Sequence, residues 1–269
     1  MNKKKLLMTA IVALTAILAV LLCACSLFSG LTSSTTTNTK PQYLDTPDNA
    51  TVGNLVANNC IGAAVQVYAG TSAGSGFYIS ADGYIVTNHH VVSGLLNSTG
   101  RECVVKDVNG SSEKARIVAY DASRDVAVLK ADVEGHDYLY FANSGNKANI
   151  YLGDTVYIIG NPADLGIIVS SGIVSNMSLY SGSTEHSYSF NSIVINSSIN
   201  HGNSGGPMIN ANCAVVGLIF ARFESPTAGE GQSSDIYGLG CAVPSAAIMA
   251  FLGENNIPYS TTSPYAAQQ

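Results

Sequence analysis

After about residue 61, apolar and polar residues alternate over short segments along the chain. The segments are rich in β-branched and aromatic residues, and turn signals such as Asn109-Gly110 separate them, which is typical of strands joined in hairpins. The alternation predicts one series of strands followed by a second. The predicted strands are 63–68, 76–80, 84–87, 103–108, 115–120, 126–130, 155–159, 167–174, 193–196, 207–210, 215–220 and 237–243.

The last part of the chain changes period. Apolar residues recur at helical spacing from Pro244 to Leu252, and Gly253 follows as a typical helix stop. The regular alternation of strands with helices that indicates a parallel sheet does not occur in the pattern. The sequence therefore predicts an all-β fold of two six-stranded antiparallel β-barrels with a cleft between them and a C-terminal helix.

The N-terminus has the pattern of a targeting segment. Lysines at positions 3–5 precede an apolar run at 6–22, and the Leu-Cys-Ala-Cys sequence that ends at Cys25 resembles a bacterial lipobox. Residues 1–24 are therefore expected to be a signal peptide, and the thiol of Cys25 to carry a lipid that anchors the chain to the membrane. An ordinary signal peptide and an uncleaved membrane helix remain open. All three alternatives place the protein outside the cytoplasm, either membrane-anchored or secreted.

The remaining boundaries follow from composition. Residues 25–54 are expected to be the lipid anchor and a flexible linker, because they are rich in Ser, Thr, Asn and Pro. Residues 55–258 are expected to form the folded domain, and 259–269 a tail.

Composition and charge exclude several kinds of partner. Apolar residues make up 46% of the chain and charged residues 11%, which predicts a substantial core. The net charge is −6, and no basic cluster follows residue 5, so nucleic-acid binding is excluded. Cys60, Cys103, Cys213 and Cys241 lack the spacing of metal ligands, and neither a metal nor another cofactor is expected. Buried free thiols and disulfides in one of three pairings both remain open.

The glycine-rich segment 202–207 is the strongest chemical motif. It reads Gly-Asn-Ser-Gly-Gly-Pro and suits a tight loop that exposes the hydroxyl of Ser204. Gly202, Asn203 and Ser204 are expected to form an oxyanion hole, with the backbone N–H groups of Gly202 and Ser204 as donors. A plain Gly/Ser turn is the alternative. The nucleophile elbow of α/β-hydrolases is excluded, because its histidine follows the serine and all five histidines here precede Ser204.

Two further residues complete a catalytic set in chain order. His90 ends a predicted strand, and Asp125 opens another. The order His, Asp, Ser is that of chymotrypsin. Ser204 would be the nucleophile, His90 its general base, and Asp125 the group that orients the imidazole. His89 competes with His90 as the base, and Asp121 competes less well with Asp125 because it falls in a turn.

Several segments with known counterparts follow one another along the chain. They are 74–77, 82–92, 125–130, 153–154, 159–162, 171–175, 202–207 and 238–244. Together they resemble the HtrA/Deg family of trypsin-like peptidases between about Val65 and Leu252. The resemblance implies a chymotrypsin-like double barrel, His90 as the base, and protein or peptide substrates. It leaves a homo-oligomer open, and a chain that ends at Gln269 is expected to lack the PDZ module of many relatives.

The resemblance also suggests which residues shape the substrate pocket. By analogy with trypsin-like enzymes, Ser198 lies at the pocket floor, and the walls come from Phe220, Ala221, Arg222 and Gly238. Because Ser198 carries no negative charge, a preference for Lys or Arg lacks its counter-charge. We therefore expect cleavage after small or medium apolar residues, and Arg222 keeps acidic residues open.

The function expected from these residues is that of a serine endopeptidase acting on extracytoplasmic proteins. A catalytically silent sensor or binding protein with the same fold is the main alternative. An esterase that uses the same three residues is a weaker one.

Overall fold

The computed structural model describes residues 51–142, 150–182, 187–224 and 235–263. The predicted signal peptide, Cys25 and most of the linker lie outside these residues. The first described element is helix α1, Val52–Cys60, which the sequence analysis did not predict. Thr51 caps it by accepting a hydrogen bond from the Asn54 N–H, so the helix begins within the last residues of the predicted linker.

The first six strands form a closed barrel. Its order is β1-β2-β3-β6-β5-β4, and every neighbouring pair is antiparallel. The strands are β1 (Ala64–Ala69), β2 (Ser72–Tyr78), β3 (Tyr84–Thr87), β4 (Glu102–Lys106), β5 (Ser112–Asp121) and β6 (Val126–Ala131). The short helix α2, His89–Val92, begins two residues after the end of β3.

The second sheet has seven strands, where six were predicted. They are β7 (Tyr140–Phe141), β8 (Thr155–Gly160), β9 (Ile168–Gly182), β10 (Ser187–Ile195), β11 (Pro207–Ile209), β12 (Ala214–Glu224) and β13 (Asp235–Pro244). Because β11 pairs with both β8 and β12, the six strands β8 to β13 close on themselves. The extra strand, β7, pairs with β12 in parallel, which corrects the expectation of purely antiparallel pairing. Helix α3, Ser245–Glu254, follows β13 as predicted.

Four strands of the first barrel, β1, β2, β3 and β6, contribute to both cores, and β6 shows the pattern most simply. Val126 and Val128 of β6 belong to the apolar cluster of the second sheet, together with Phe141, whereas Ala127 and Leu129 belong to the cluster inside the first barrel. Successive side chains of a strand point to opposite faces, so β6 fills the first barrel with one face and packs against the second with the other. The all-β prediction is confirmed, and the barrels share a continuous apolar contact.

The four cysteines of the described residues are buried, and no disulfide joins them. Of the two possibilities left open by the sequence, the structure therefore shows buried thiols. No helix within the described ranges is long and apolar enough to cross a membrane.

Candidate active site

The first barrel presents a histidine paired with an aspartate. His90 lies in helix α2, and its Nδ1 atom is 2.8 Å from Oδ2 of Asp125. The backbone N–H of His90 also donates to Oδ1 of the same carboxylate at 3.0 Å. The Asp125 side chain is 3% exposed and that of His90 is 46% exposed. A buried carboxylate thus orients an imidazole that remains accessible at the surface.

Asp125 itself adopts an unusual backbone conformation. Its φ of +51° lies in the left-handed region, which is unfavourable for a residue with a side chain. Two hydrogen bonds stabilise the turn, since the Asp125 N–H donates to Ala122 O at 3.3 Å and Asn88 Nδ2 donates to Asp125 O at 2.8 Å. Asn88 is fully buried, and its Oδ1 has no partner within the described residues. Asn88, two residues before His90, therefore holds the aspartate in place.

His89 and Asp121, the alternatives to His90 and Asp125 in the sequence analysis, have other interactions. The ring of His89 stacks on Tyr120 with centroids 5.6 Å apart, and burial lowers the pKa of His89. Burial acts to raise the pKa of Asp121, but hydrogen bonds from Ser123 and Arg124 outweigh it and lower that pKa. Asp125 is thus paired with His90, and both competitors are used elsewhere.

The second barrel contributes the loop that carries Ser204. The Ser204 carbonyl accepts a hydrogen bond from the Ser75 N–H of β2 at 2.8 Å, and Gly205 N–H donates to Ile219 O at 2.8 Å. The Ser204 hydroxyl donates to the carbonyl of Phe220 at 3.2 Å. The loop is therefore fixed between the first barrel on one side and β12 on the other.

Gly74 shows how closely the serine loop approaches helix α2. A Cβ placed on Gly74 would lie 2.9 Å from Ser204 O and 2.8 Å from a methyl carbon of Val91, the residue after His90. Only a glycine fits between them. The loop that carries Ser204 and the helix that carries His90 thus approach each other closely on the two sides of Gly74.

Two backbone N–H groups of the loop are available to a ligand. Within the described residues, neither Gly202 N–H nor Ser204 N–H has an acceptor. The carbonyls of the same peptide groups are held on the opposite side, because His201 O accepts from Ala163 N–H at 2.8 Å and Asn203 O accepts from Gly206 N–H at 2.9 Å. In a planar trans peptide the N–H points away from its C=O, so these bonds fix the direction of both donors.

Asn203 is the one predicted oxyanion residue whose amide is already used. Its N–H donates to Asn200 O at 3.1 Å, and the residue is buried. In this conformation Asn203 shapes the loop, and the available donors are Gly202 and Ser204.

The predicted pocket residues lie on β12, β13 and the loop before the serine. Phe220 is buried, and its ring contacts Tyr188 and Phe190 at centroid distances of 5.2 and 5.6 Å. Arg222 pairs with Gly240 across the β12–β13 ladder. Ala221 pairs with Cys241 in the same ladder. Ser198 and Gly238 are exposed.

Arg222 has a neighbour that the sequence analysis did not consider as its partner. Its Nη2 atom lies 3.2 Å from Nε2 of His201, the residue before Gly202. A guanidinium and an imidazole therefore stand together beside the serine loop.

Sequence reasoning gave no role to Ser75, Asn88 or Asn161. All three occur in segments that carried the resemblance, and all three are buried polar residues. A polar residue at such a position needs a hydrogen-bond partner, which is the signal that could have marked them. Their partners lie far away in the chain, so the sequence did not name them.

With this geometry in place, comparison with known proteins identifies the family. The family model described as "Trypsin-like peptidase domain" matches residues 74–218. The chain belongs to this family. The match includes His90, Asp125 and Ser204, and it spans both barrels of the trypsin-like peptidase domain.

Curated relatives and solved structures agree with the HtrA/Deg resemblance. A probable periplasmic serine endoprotease, DegP-like, from Bartonella henselae is 39% identical over 173 residues, which cover 64% of this chain and 31% of the relative. Its counterpart from Brucella suis is 37% identical with the same coverage. The chain thus spans about a third of the length of these relatives.

Among solved structures, the serine endoprotease from Yersinia pestis matches with a TM-score of 0.60 and 30% identity, covering 76% of this chain and 66% of that one. An HtrA-type protease, AlgW, solved with a tripeptide, matches with a TM-score of 0.63 and 25% identity, covering 76% and 63%.

Proposed function

We propose that this chain is a serine endopeptidase in which Ser204, His90 and Asp125 act as the catalytic triad. The observation that carries the proposal is the 2.8 Å pairing of His90 with buried Asp125, on the barrel that Ser204 contacts through its own carbonyl. Membership of the trypsin-like peptidase family and the names of the curated relatives support it.

The chemistry follows from the arrangement. Rotation of the Ser204 side chain moves its hydroxyl from the Phe220 carbonyl toward Nε2 of His90, which accepts the proton as Ser204 attacks the scissile carbonyl. Asp125 holds the proton on Nδ1 and stabilises the imidazolium. The N–H groups of Gly202 and Ser204 donate to the oxyanion of the tetrahedral intermediate. The imidazolium then protonates the leaving amine, and water releases the acyl group from Ser204 by the same steps in reverse.

The direct test is covalent labelling of the full chain with a fluorophosphonate. The wild-type chain is expected to be labelled and to degrade casein, and Ser204→Ala to do neither. His90→Ala should lose activity while His89→Ala keeps it, because the hydrogen bond to the Asp125 carboxylate comes from the His90 ring, whereas the His89 ring stacks on Tyr120. Asp125→Asn should lower kcat by about 10⁴-fold, since the wrong imidazole tautomer is then held.

The outcomes separate the alternatives. Absence of labelling in the wild-type chain would contradict the proposal and favour a silent sensor. Labelling with turnover of small esters and no cleavage of casein would favour an esterase.

We propose that the enzyme prefers small or medium apolar residues before the cleaved bond. The uncharged Ser198 and the aromatic contacts of Phe220 support this preference, and Arg222 beside His201 allows acidic residues. A peptide library should show enrichment of Ala, Val or Leu at this position. Strict selection of Lys or Arg would contradict it.

We propose that the enzyme works outside the cytoplasm, attached to the membrane through a lipid on Cys25. The basic and apolar N-terminal segments and the periplasmic relatives support this location. Labelled fatty acid should enter the wild-type chain but not Cys25→Ala. Incorporation into both would contradict a lipid at Cys25.

A further inference from the structure

Ser75 of β2 contacts the serine loop with its backbone and its side chain. The residue is 1% exposed. Its N–H donates to Ser204 O at 2.8 Å, and its hydroxyl donates to Gly202 O at 2.6 Å. The same hydroxyl accepts the N–H of Asn161 at 2.8 Å, and Thr87 Oγ1 donates to Ser75 O at 2.7 Å. A single residue of the first barrel thus joins two loops of the second.

These bonds restrain the peptide groups on both sides of the nucleophile. The peptide between Gly202 and Asn203 is held at its carbonyl by Ser75 and at its N–H by Asn200 O. The peptide after Ser204 is held at its carbonyl by Ser75 and at its N–H by Ile219 O. The Ser204 N–H lies between these two fixed peptide groups, so its direction depends on both.

Ser75 also affects the direction of the second donor, the Gly202 N–H, through its hydrogen bond with Asn161. The Ser75 hydroxyl accepts from Asn161 N–H at the start of the loop whose Ala163 N–H donates to His201 O. That last bond fixes the peptide that carries the Gly202 N–H. The surroundings are closely packed, because a Cβ on Gly160 would lie 3.1 Å from the Ser75 hydroxyl.

We propose that Ser75 is a positioning residue that aims the oxyanion donors of Gly202 and Ser204 from the neighbouring barrel. The inference rests on the proposed function, since it assigns a task within the same site. Without the hydroxyl, the partly buried Gly202 O and the buried Asn161 N–H lose this partner, and their peptide groups reorient to recover hydrogen bonds. The donors then no longer match the oxyanion of the transition state, although the triad is untouched.

The test compares Ser75→Ala with Ser245→Ala in the full chain. Ser245 is a suitable control because its hydroxyl is also buried but has no partner within the described residues. Ser75→Ala should lower kcat by about 10- to 100-fold, below the loss for complete removal of one donor, with KM changed by less than about threefold. Affinity for a peptide aldehyde, which forms a tetrahedral adduct with the serine, should fall by a similar factor. Ser245→Ala should match the wild type in all three quantities.

Ser75→Cys provides a second variant in case the alanine variant does not fold. A thiol has a similar shape but is a weak donor, so an intermediate loss of kcat and aldehyde affinity is expected. Wild-type kcat and aldehyde affinity in a folded Ser75 variant would overturn the inference and leave the proposed function intact. A loss of kcat without a loss of aldehyde affinity would also overturn it. Absence of turnover in the wild-type chain would instead defeat the proposed function, and this inference with it.

Discussion

Gly205 and Gly153 adopt nearly the same backbone conformation in different surroundings. Their φ angles are +88° and +89°. A Cβ on Gly205 would overlap Ser75 O and Thr87 Oγ1, whereas a Cβ on Gly153 would have no described heavy atom within 4 Å. Alanine variants at the two positions therefore separate the free-energy cost of the left-handed conformation from that of a steric clash.

Gly205→Ala should therefore be much more damaging than Gly153→Ala. A left-handed conformation costs an alanine about 1–2 kcal/mol, and the overlap at Gly205 adds about 1–3 kcal/mol. Urea unfolding should show a loss of about 2–5 kcal/mol for Gly205→Ala and about 1–2 kcal/mol for Gly153→Ala. Equal losses in both variants would show that the overlap has no cost.

At the scale of single residues, chain order and strand ends led the sequence analysis to His90, Asp125 and Ser204, whose catalytic roles stay predictions. His90 and Asp125 stood at predicted strand ends, and the structure pairs them. Ser75 was not predicted, because its partner Gly202 lies 127 residues away and nothing local marks that contact. Whether Ser204 acts as the nucleophile stays a prediction until it is labelled.

At the scale of elements, an ion pair joins the turn before β6 to helix α3. Arg124 binds Glu254 through two hydrogen bonds of 2.6 and 2.8 Å. The hydrogen bond from Arg124 lowers the pKa of Glu254. Because the carboxylate is easier to ionise in the folded state, the pair stabilises the fold above the ordinary glutamate pKa, and the contribution is lost as pH falls through the lowered pKa.

Glu254→Gln should lower Tm slightly at about pH 7, by a few degrees at most, because the pair is partly exposed. The difference from the wild type should shrink as pH falls through the lowered pKa of Glu254, and vanish where the glutamate is protonated in both states. Calorimetry at pH values from about 7 downward checks the sign of this change in the Tm difference. A difference that grows toward acid would contradict it.

Helix α1 offers a second test at this scale. Thr51→Ala removes the cap of the helix and should cost about 0.5–2 kcal/mol of local stability. Amide hydrogen exchange should speed up in residues 52–60 and remain unchanged in β1. A uniform change over the whole domain would show that α1 unfolds together with the barrels.

The elements that sequence reasoning missed are helices α1 and α2 and strand β7. Helix α1 has only Val56 and Cys60 buried, too few apolar positions to establish a helical period. Strand β7 has two residues, too short for any alternation. The twelve longer strands were all predicted, because each has enough residues for its pattern to be read.

At the scale of the whole molecule, the cysteines report on the integrity of the fold. Burial raises the pKa of Cys103 to about 11, well above that of an exposed thiol. At about pH 8, iodoacetamide should leave Cys103 unmodified in the native protein and alkylate it in urea. Peptide mass mapping checks this. Rapid native alkylation of Cys103 would contradict its burial.

Strand β6 is shared by the two barrels, because the apolar core of each barrel packs against one face of this strand. Asp125 lies directly before this strand. A packing defect in either barrel core that moves the strand therefore also moves the Asp125 carboxylate. Polypeptides divided between the two barrels would each expose an apolar surface, and the division would separate Asp125 from Ser204. Substitutions that aim to improve solubility should therefore be placed on the outer faces of the barrels. Mutagenesis libraries should leave the residues on both faces of β6 unchanged.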